Sequence, residues 1–339
     1  MTRLPTYVLL ASGLACVGLA CGCYADEMTI PALSRRLKAG FLKNHPRLFR
    51  DWPAIAKLVT RLGYDVREFC YYTEARSAGR RLYLWNQTRS KALLLREDGP
   101  PKVIATKKGA FIDDGGNVMA WCTGDEISFA SGQKIRGSNI TFDCSGTYFA
   151  TVGYSYDLCG KRSIQTPIEV RAVRTPGKAL VTTEVKGWPR AVAVVKGRLC
   201  LIVSLFPEEG KRGPTTFGVE FYRHARKGID LDRRSHITSP SWGRWRITLK
   251  GIDVTCGDVL FVAEHDMPTL GPVYYLYNLH TQKMERLGRL RNVVGFLSPR
   301  VFRGSLAALE RPLDRKPGEP GREPDSEQAS GTDRRKGPQ

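Results

Sequence analysis

Acidic residues are scarce: 33 Asp and Glu stand against 53 Lys and Arg in 339 residues, a formal charge of +20. No two cysteines stand three residues apart, which excludes a C-x-x-C zinc or thioredoxin-type site. The five histidines, His45, His224, His236, His265 and His280, lack metal-ligand spacing. The chain has no G-x-S-x-G elbow and no phosphate loop. After Cys21 no apolar run reaches the roughly 20 residues that a membrane-spanning helix needs. No catalytic residue, metal ligand or cofactor is therefore expected.

What the chain does have begins with its leader. Residues 1–25 contain one Arg, an apolar stretch from Tyr7 to Cys21, and small residues at Cys23 and Ala25. That is the layout of a secretory signal peptide cut before Asp26, and it predicts a secreted or periplasmic protein. Acylation at Cys16 or Cys21 would give a membrane-attached lipoprotein, but Gly13 and Gly18 stand where Leu is usual three residues earlier. Residues 311–339 hold seven basic and six acidic residues among many Pro and Gly. Such a segment buries too little apolar surface to offset its ordering entropy, so a disordered tail is expected. Residues 26–310 carry 45 basic and 27 acidic side chains, a charge of +18.

Residues 26–63 read as a basic helical segment, in which DWPAIAKLVTRLGYD is a short helix with Asp51 as N-cap and Pro53 in its first turn. Six cysteines follow the leader: Cys70, Cys122, Cys144, Cys159, Cys200 and Cys256. In an exported chain they permit disulfides, in any of fifteen pairings. Cys122 and Cys200 equally suit buried strand positions.

The stretch Tyr83 to Leu95, YLWNQTRSKALLL, is echoed from Tyr275 to Leu287 by YLYNLHTQKMERL. Each is two apolar runs joined by a polar turn, the pattern of a β-hairpin. Turns at Gly116, Gly146, Gly197 and Gly257 each precede an apolar strand, and third strands are expected near Trp85, Phe129, Val170, Phe221 and Tyr277, at intervals of 44, 41, 51 and 56 residues. Four-stranded units at this period predict an all-β fold with short N-terminal helices: a β-propeller over residues 64–305 with about five blades, or six if a long unit hides another. A β-sandwich is the alternative. The first unit reads as one strand short, and NVVGFLSPRVF offers one too many. The ring is therefore expected to close by that strand joining the first blade.

The unit from Ile140 to Val181, with ITFDCSGTYFATVGYSYD followed by IEVRAVRTPGKAL, resembles a repeat of the WD40 or TolB-like propeller families. The resemblance rests on the Asp-x-x-Gly turn from Asp143 to Gly146 and on the turn at Gly177 and Lys178. No copy holds the Trp-Asp or Gly-His pairs of WD40 repeats. What the resemblance implies is the architecture, a binding platform with no shared catalytic residue to carry over.

Asp113, Asp114, Asp125 and Glu126, with the run Glu264, His265 and Asp266, are the clustered side chains that a propeller-fold glycan hydrolase or lyase would draw on. Such chemistry needs two carboxyls about 5 to 10 Å apart. Basic residues interleaved with apolar ones are more prominent. Arg35, Arg36, Lys38 and Lys43 precede Arg47 and Arg50, and SWGRWRITLK places Trp242 and Trp245 beside Arg244, Arg246 and Lys250. Rings beside cations suit anionic partners. The expectation is an exported non-catalytic interaction module for an anionic polysaccharide, a membrane surface or a protein partner. No specific nucleic acid is expected, since charge alone gives only non-specific, salt-sensitive binding.

Overall fold

A computed structural model describes residues 28–310, apart from 70–71, 77–78, 114, 124–125, 144, 153–154, 157–161, 164–166, 207–214, 226–227, 240–241, 243–244 and 265–270. The leader, the charged tail, Cys70, Cys144, Cys159, Asp114, Asp125, Arg244, His265 and Asp266 thus lie outside the described residues.

Helix α1 (Ile30–Ala39) starts where the Thr29 hydroxyl accepts from the Ala32 N–H, and it buries Leu33 and Leu37, one turn apart. Helix α2 (Trp52–Arg61) is capped as the sequence predicts, with Asp51 Oδ1 accepting from the Ala54 N–H at 3.1 Å. Between them lie β1 (Phe41–Leu42) and β2 (His45–Phe49), so residues 26–63 are not purely helical. A single turn, α3 (Val66–Phe69), leads into the sheets.

Five four-stranded antiparallel sheets follow. The first is β3 (Tyr72–Arg76), β4 (Arg81–Trp85), β5 (Lys91–Arg96) and β6 (Gly99–Ala105). The second is β7 (Ala110–Ile112), β8 (Val118–Thr123), β9 (Glu126–Phe129) and β10 (Lys134–Arg136). In the third, β11 (Ser138–Phe142) and β12 (Tyr148–Val152) precede the inserted hairpin β13 (Ser155–Tyr156) and β14 (Arg162–Ser163), then β15 (Ile168–Ala172) and β16 (Ala179–Thr183). The fourth is β17 (Gly187–Val195), β18 (Arg198–Leu205), β19 (Phe217–Ala225) and β20 (Gly228–Ile237). The fifth is β21 (Arg246–Asp253), β22 (Asp258–Glu264), β23 (Val273–Asn278) and β24 (Met284–Arg289). Strand β25 (Gly295–Phe296) and helix α4 (Val301–Glu310) complete the described chain.

One turn device recurs after the first strand of each sheet. Gly79, Gly116, Gly146, Gly197 and Gly257 all have φ between +71° and +87°, the region that glycine enters without strain. The Gly116 and Gly146 N–H groups return to the carbonyls of Asp113 and Asp143 at 3.1 Å. The same Asp carboxylates take backbone N–H groups of their turns, from Asn117 at 2.8 Å and from Tyr148 at 2.7 Å. Asp253 does likewise for Thr255 at 2.9 Å. These acids cap turns.

Six apolar interfaces join the sheets in cyclic order. Tyr83, Trp85 and Leu94 meet Ile112 between the first and second sheets, and Phe129 meets Phe149 between the second and third. Val170 meets Leu201 between the third and fourth, and Phe221 meets Tyr277 in the cluster between the fourth and fifth. Leu260 and Leu276 of the fifth sheet pack on Leu48 and Phe296, which are themselves cross-strand partners. Phe49, Leu297 and the helices α1, α2 and α4 then cover Leu82, Leu84, Leu93 and Leu95 of the first sheet. Because neighbouring residues of a strand point to opposite faces, one strand serves two interfaces: Leu48 faces the fifth sheet and Phe49 the first. This cyclic stacking is a β-propeller, and it sets the sandwich aside.

Two expectations need correction. The first sheet already has four strands, and Trp85 lies on its second strand. Its fourth, β6, is the Pro-containing GPPKVIA, which forms an edge strand where a missing N–H breaks no ladder. Closure is also not made by adding β25 to the first sheet. Instead β25 pairs with β2 in a three-stranded sheet of order β1-β2-β25, built from both ends of the chain and set between the fifth and first sheets.

Candidate functional site on the inner strands

The first strand of each sheet lies nearest the ring axis: β11 neighbours β17, β17 neighbours β21, β21 neighbours β25, and β25 neighbours β3. The antiparallel order then places the starts of these inner strands, and the loops between second and third strands, at one end of the ring, the entry end. The glycine turns lie at the other, the turn end.

The described inner strands carry two acids, Glu74 on β3 and Asp253 on β21. Both are engaged. Glu74 accepts from Arg76 at 2.7 Å and from the Trp85 indole at 3.1 Å. Arg76, itself buried, also donates to the Ile112 carbonyl. Asp253, 1% exposed, accepts from Arg47 of β2 at 2.8 Å. Arg190 on β17, with Arg246 and Lys250 on β21, makes no ion pair among the described residues.

All three are open to solvent, yet the surrounding wall removes water from Arg190 and Lys250. Burial pulls the Arg190 guanidinium below its usual range, and the neighbouring Arg246 charge pulls it further. Burial lowers the Lys250 ammonium too, opposed by the charge of Glu264. Glu264 is the cross-strand partner of Arg246 and an exposed acid. Burial, with the Glu264 charge, pushes the Tyr274 phenol up to about 12. Trp188, near the start of β17, and Trp245, just before β21, are half-buried. Three cations against one acid make a locally positive stretch of wall.

At the same end, between the first and second sheets, cations lie over rings. Arg89 stacks on Trp85 at 5.4 Å and on Phe111 at 5.3 Å, and Lys107 on Trp121 at 4.7 Å.

The expected site residues disperse. Arg35, Arg36 and Lys38 lie on the exposed face of α1, and Lys43 in the β1–β2 turn. Arg36 pairs with the α2 cap Asp51 at 3.3 Å. Arg246 is on the inner wall and Trp245 leads into it. Trp242 corrects the expectation: it is fully buried, edge-on to Phe217 and Tyr275, so its ring belongs to the core. Asp113 is a turn cap, while Glu126 pairs with Lys134 at 2.9 Å. Arg190 was missed; the signal was a lone charge inside the apolar strand GWPRAVAVV.

Buried Glu220 accepts from Tyr222 and, at 2.7 Å, from Arg234. Burial and then the bond to Glu220 push the Tyr222 phenol far up, so it stays a protonated donor. This cluster is on β19 and β20, away from the inner strands. Among the described residues Cys122, Cys200 and Cys256 are free thiols, no group of His, Cys, Asp and Glu suits a metal, and no helix is long and apolar enough to cross a membrane.

No protein-family model matches the chain, and no curated protein sequence matches it. Among solved structures it is similar to a neuraminidase-like protein of a flat-faced bat isolate from Peru, at 7% identity over 63% of this chain and 50% of that one, TM-score 0.33. It is similar to TolB from Acinetobacter baumannii at 12% identity over 64% and 52%, TM-score 0.33. It is also similar to a streptogramin B lyase at 10% identity over 66% and 84%, TM-score 0.26. The chain spans about half the length of the first two.

Proposed function

We propose that this chain is an exported, non-catalytic β-propeller of the WD40 or TolB-like kind that acts as an interaction module. It holds an acidic polysaccharide, or else an anionic membrane surface or acidic protein face, against the entry end of its ring. The observation that carries this reading is the trio Arg190, Arg246 and Lys250. The fold keeps like charges together on adjacent inner strands while the two inner-strand acids, Glu74 and Asp253, serve Arg76 and Arg47. Holding like charges together costs free energy that an anion would offset. The exposed Arg35, Arg36, Lys38 and Lys43, with Arg244, would extend the contact. The leader supports a secreted or periplasmic location. A glycan hydrolase or lyase would call on a free carboxylate pair, and both inner-strand acids are already bonded.

The test is retention of residues 26–339 on sulfated-glycan and alginate beads, and on phosphatidylglycerol liposomes, near 0.15 M salt. Retention is expected on at least one of these. Arg190→Ala with Arg246→Ala should weaken it and flatten the slope of log K against log salt by roughly 1.5 to 2. Neutralising Arg35, Arg36, Lys38 and Lys43 should flatten it separately. Absence of retention, or retention indifferent to salt and to both sets of changes, refutes the reading. Cleavage of the glycan would replace it with the hydrolytic one.

A further inference from the structure

A second cationic cluster lies at the opposite, turn end, at the seam of the fourth and fifth sheets. Three chain segments build it. The β17–β18 hairpin brings Lys196, in its turn at φ +49°, and Arg198, the first residue of β18. Strand β20 brings Arg233, whose guanidinium lies 4.7 Å from the centre of the Phe221 ring and donates from Nη2 to the Leu279 carbonyl at 2.8 Å. The β23–β24 turn brings His280, which packs on the Gly257 turn so closely that a Cβ at Gly257 would come within 2.7 Å of its Nε2.

Two features set this seam apart from an ordinary charged surface. Arg233 Nε and His280 Nε2 are both buried and have no hydrogen-bond partner among the described residues, although each buried polar atom of this kind carries a desolvation cost. The nearby acids are also outnumbered. Asp232 pairs with Arg198 at 2.8 Å and reaches Arg223 at 4.0 Å, while Asp258 accepts from the Asn278 amide at 2.7 Å. Burial first, then the charges of Lys196, Arg233 and Arg198, hold the His280 imidazole below its usual range, with Asp258 opposing. These four groups therefore share one electrostatic neighbourhood.

We propose that this seam binds a tetrahedral oxyanion, phosphate or sulfate, free or as an ester, through Arg233, His280, Lys196 and Arg198. The anion would accept from the Arg and His nitrogens that lack partners, and its charge would be matched by Lys196 and Arg198. Arg233 already ties the fourth sheet to the fifth, so an anion on it braces that seam.

The experiment follows the His280 imidazole signal by NMR as pH is varied, in chloride and in inorganic phosphate at matched ionic strength. An anion within a few ångströms favours the protonated ring, so its pKa should rise by about 1 unit in phosphate. Lys196→Asn keeps a residue that tolerates positive φ, so it should fold normally while weakening phosphate binding about tenfold. Arg190→Ala with Arg246→Ala, which removes the entry-end cations, should leave the His280 response intact. A parallel titration with glucose 6-phosphate distinguishes the sources: a response to both means an ester is accepted, and a response to inorganic phosphate alone means the free ion. The proposal is overturned if His280 does not respond to either, if Lys196→Asn responds as the parent does, or if the Arg190 and Arg246 changes abolish the response. Only the last outcome would trace the effect to the entry-end site.

Discussion

Replacing Phe302 by Ala tests whether the two chain ends seal the ring. Phe302, in α4, is 3% exposed, and its ring centroid lies 5.5 Å from that of Phe49 in β2. It belongs to the cluster that covers Leu82, Leu84, Leu93 and Leu95 of the first sheet. Truncating such a ring removes its burial and leaves a cavity, a loss of about 3 to 5 kcal/mol. Whole domains are held by only about 5 to 15 kcal/mol, so the variant should lose about a fifth or more of its stability. At about 2 to 4 °C per kcal/mol for a large domain, the thermal midpoint should fall by roughly 6 to 20 °C. Urea unfolding followed by tryptophan fluorescence and far-UV circular dichroism supplies the number. The cycle of Phe49→Ala, Phe302→Ala and the double variant isolates the contact, with a coupling of about 0.5 to 1.5 kcal/mol expected for packed rings. Deleting residues 311–339, which carry almost no apolar side chain, should leave the midpoint unchanged. A loss below about 1 kcal/mol for Phe302→Ala, or strict additivity in the cycle, would refute closure through both ends.

Two further outcomes follow from burial. Burial pushes the Cys200 thiol up to about 12 and the Cys122 thiol up to about 11, with Arg233 and Arg89 respectively opposing. At pH 8 both stay protonated, so a thiol-specific disulfide reagent should modify exposed Cys256 in the folded protein and reach Cys200 only on unfolding. Peptide mass mapping checks this, and fast native labelling of Cys200 would contradict its place in the core. Lys250→Met removes a cation that burial holds below the usual lysine range, so it should keep or raise the urea midpoint while weakening retention on the anionic beads. A variant that loses stability and keeps full retention would remove Lys250 from the proposed contact.

Local features were legible in the residues alone. The glycine turns at 116, 146, 197 and 257 were found because a positive φ is written in a single residue, and the Asp51 cap because its bond spans three residues. The four-stranded unit was found because period-2 alternation is local. Hairpin rank was not: YLWNQTRSKALLL forms the second and third strands of its sheet, whereas YLYNLHTQKMERL forms the third and fourth. Two hairpins can look alike and sit at different depths in a sheet, since pattern records alternation and not position. Trp242 shows the same limit, because a ring beside Arg244 in sequence is buried when its neighbours in space are Phe217, Phe261 and Tyr275.

The sequence by itself determined an all-β chain of repeated four-stranded units, a strong positive charge, and the turns that separate the strands. Only the tertiary structure decided which strands face the axis, and hence that Arg190 from one sheet stands beside Arg246 from the next. It also decided that β2 and β25, from opposite ends of the chain, pair to fill the gap between the fifth and first sheets. Both depend on contacts between residues far apart in sequence, made only when each sheet buries its two faces against its neighbours.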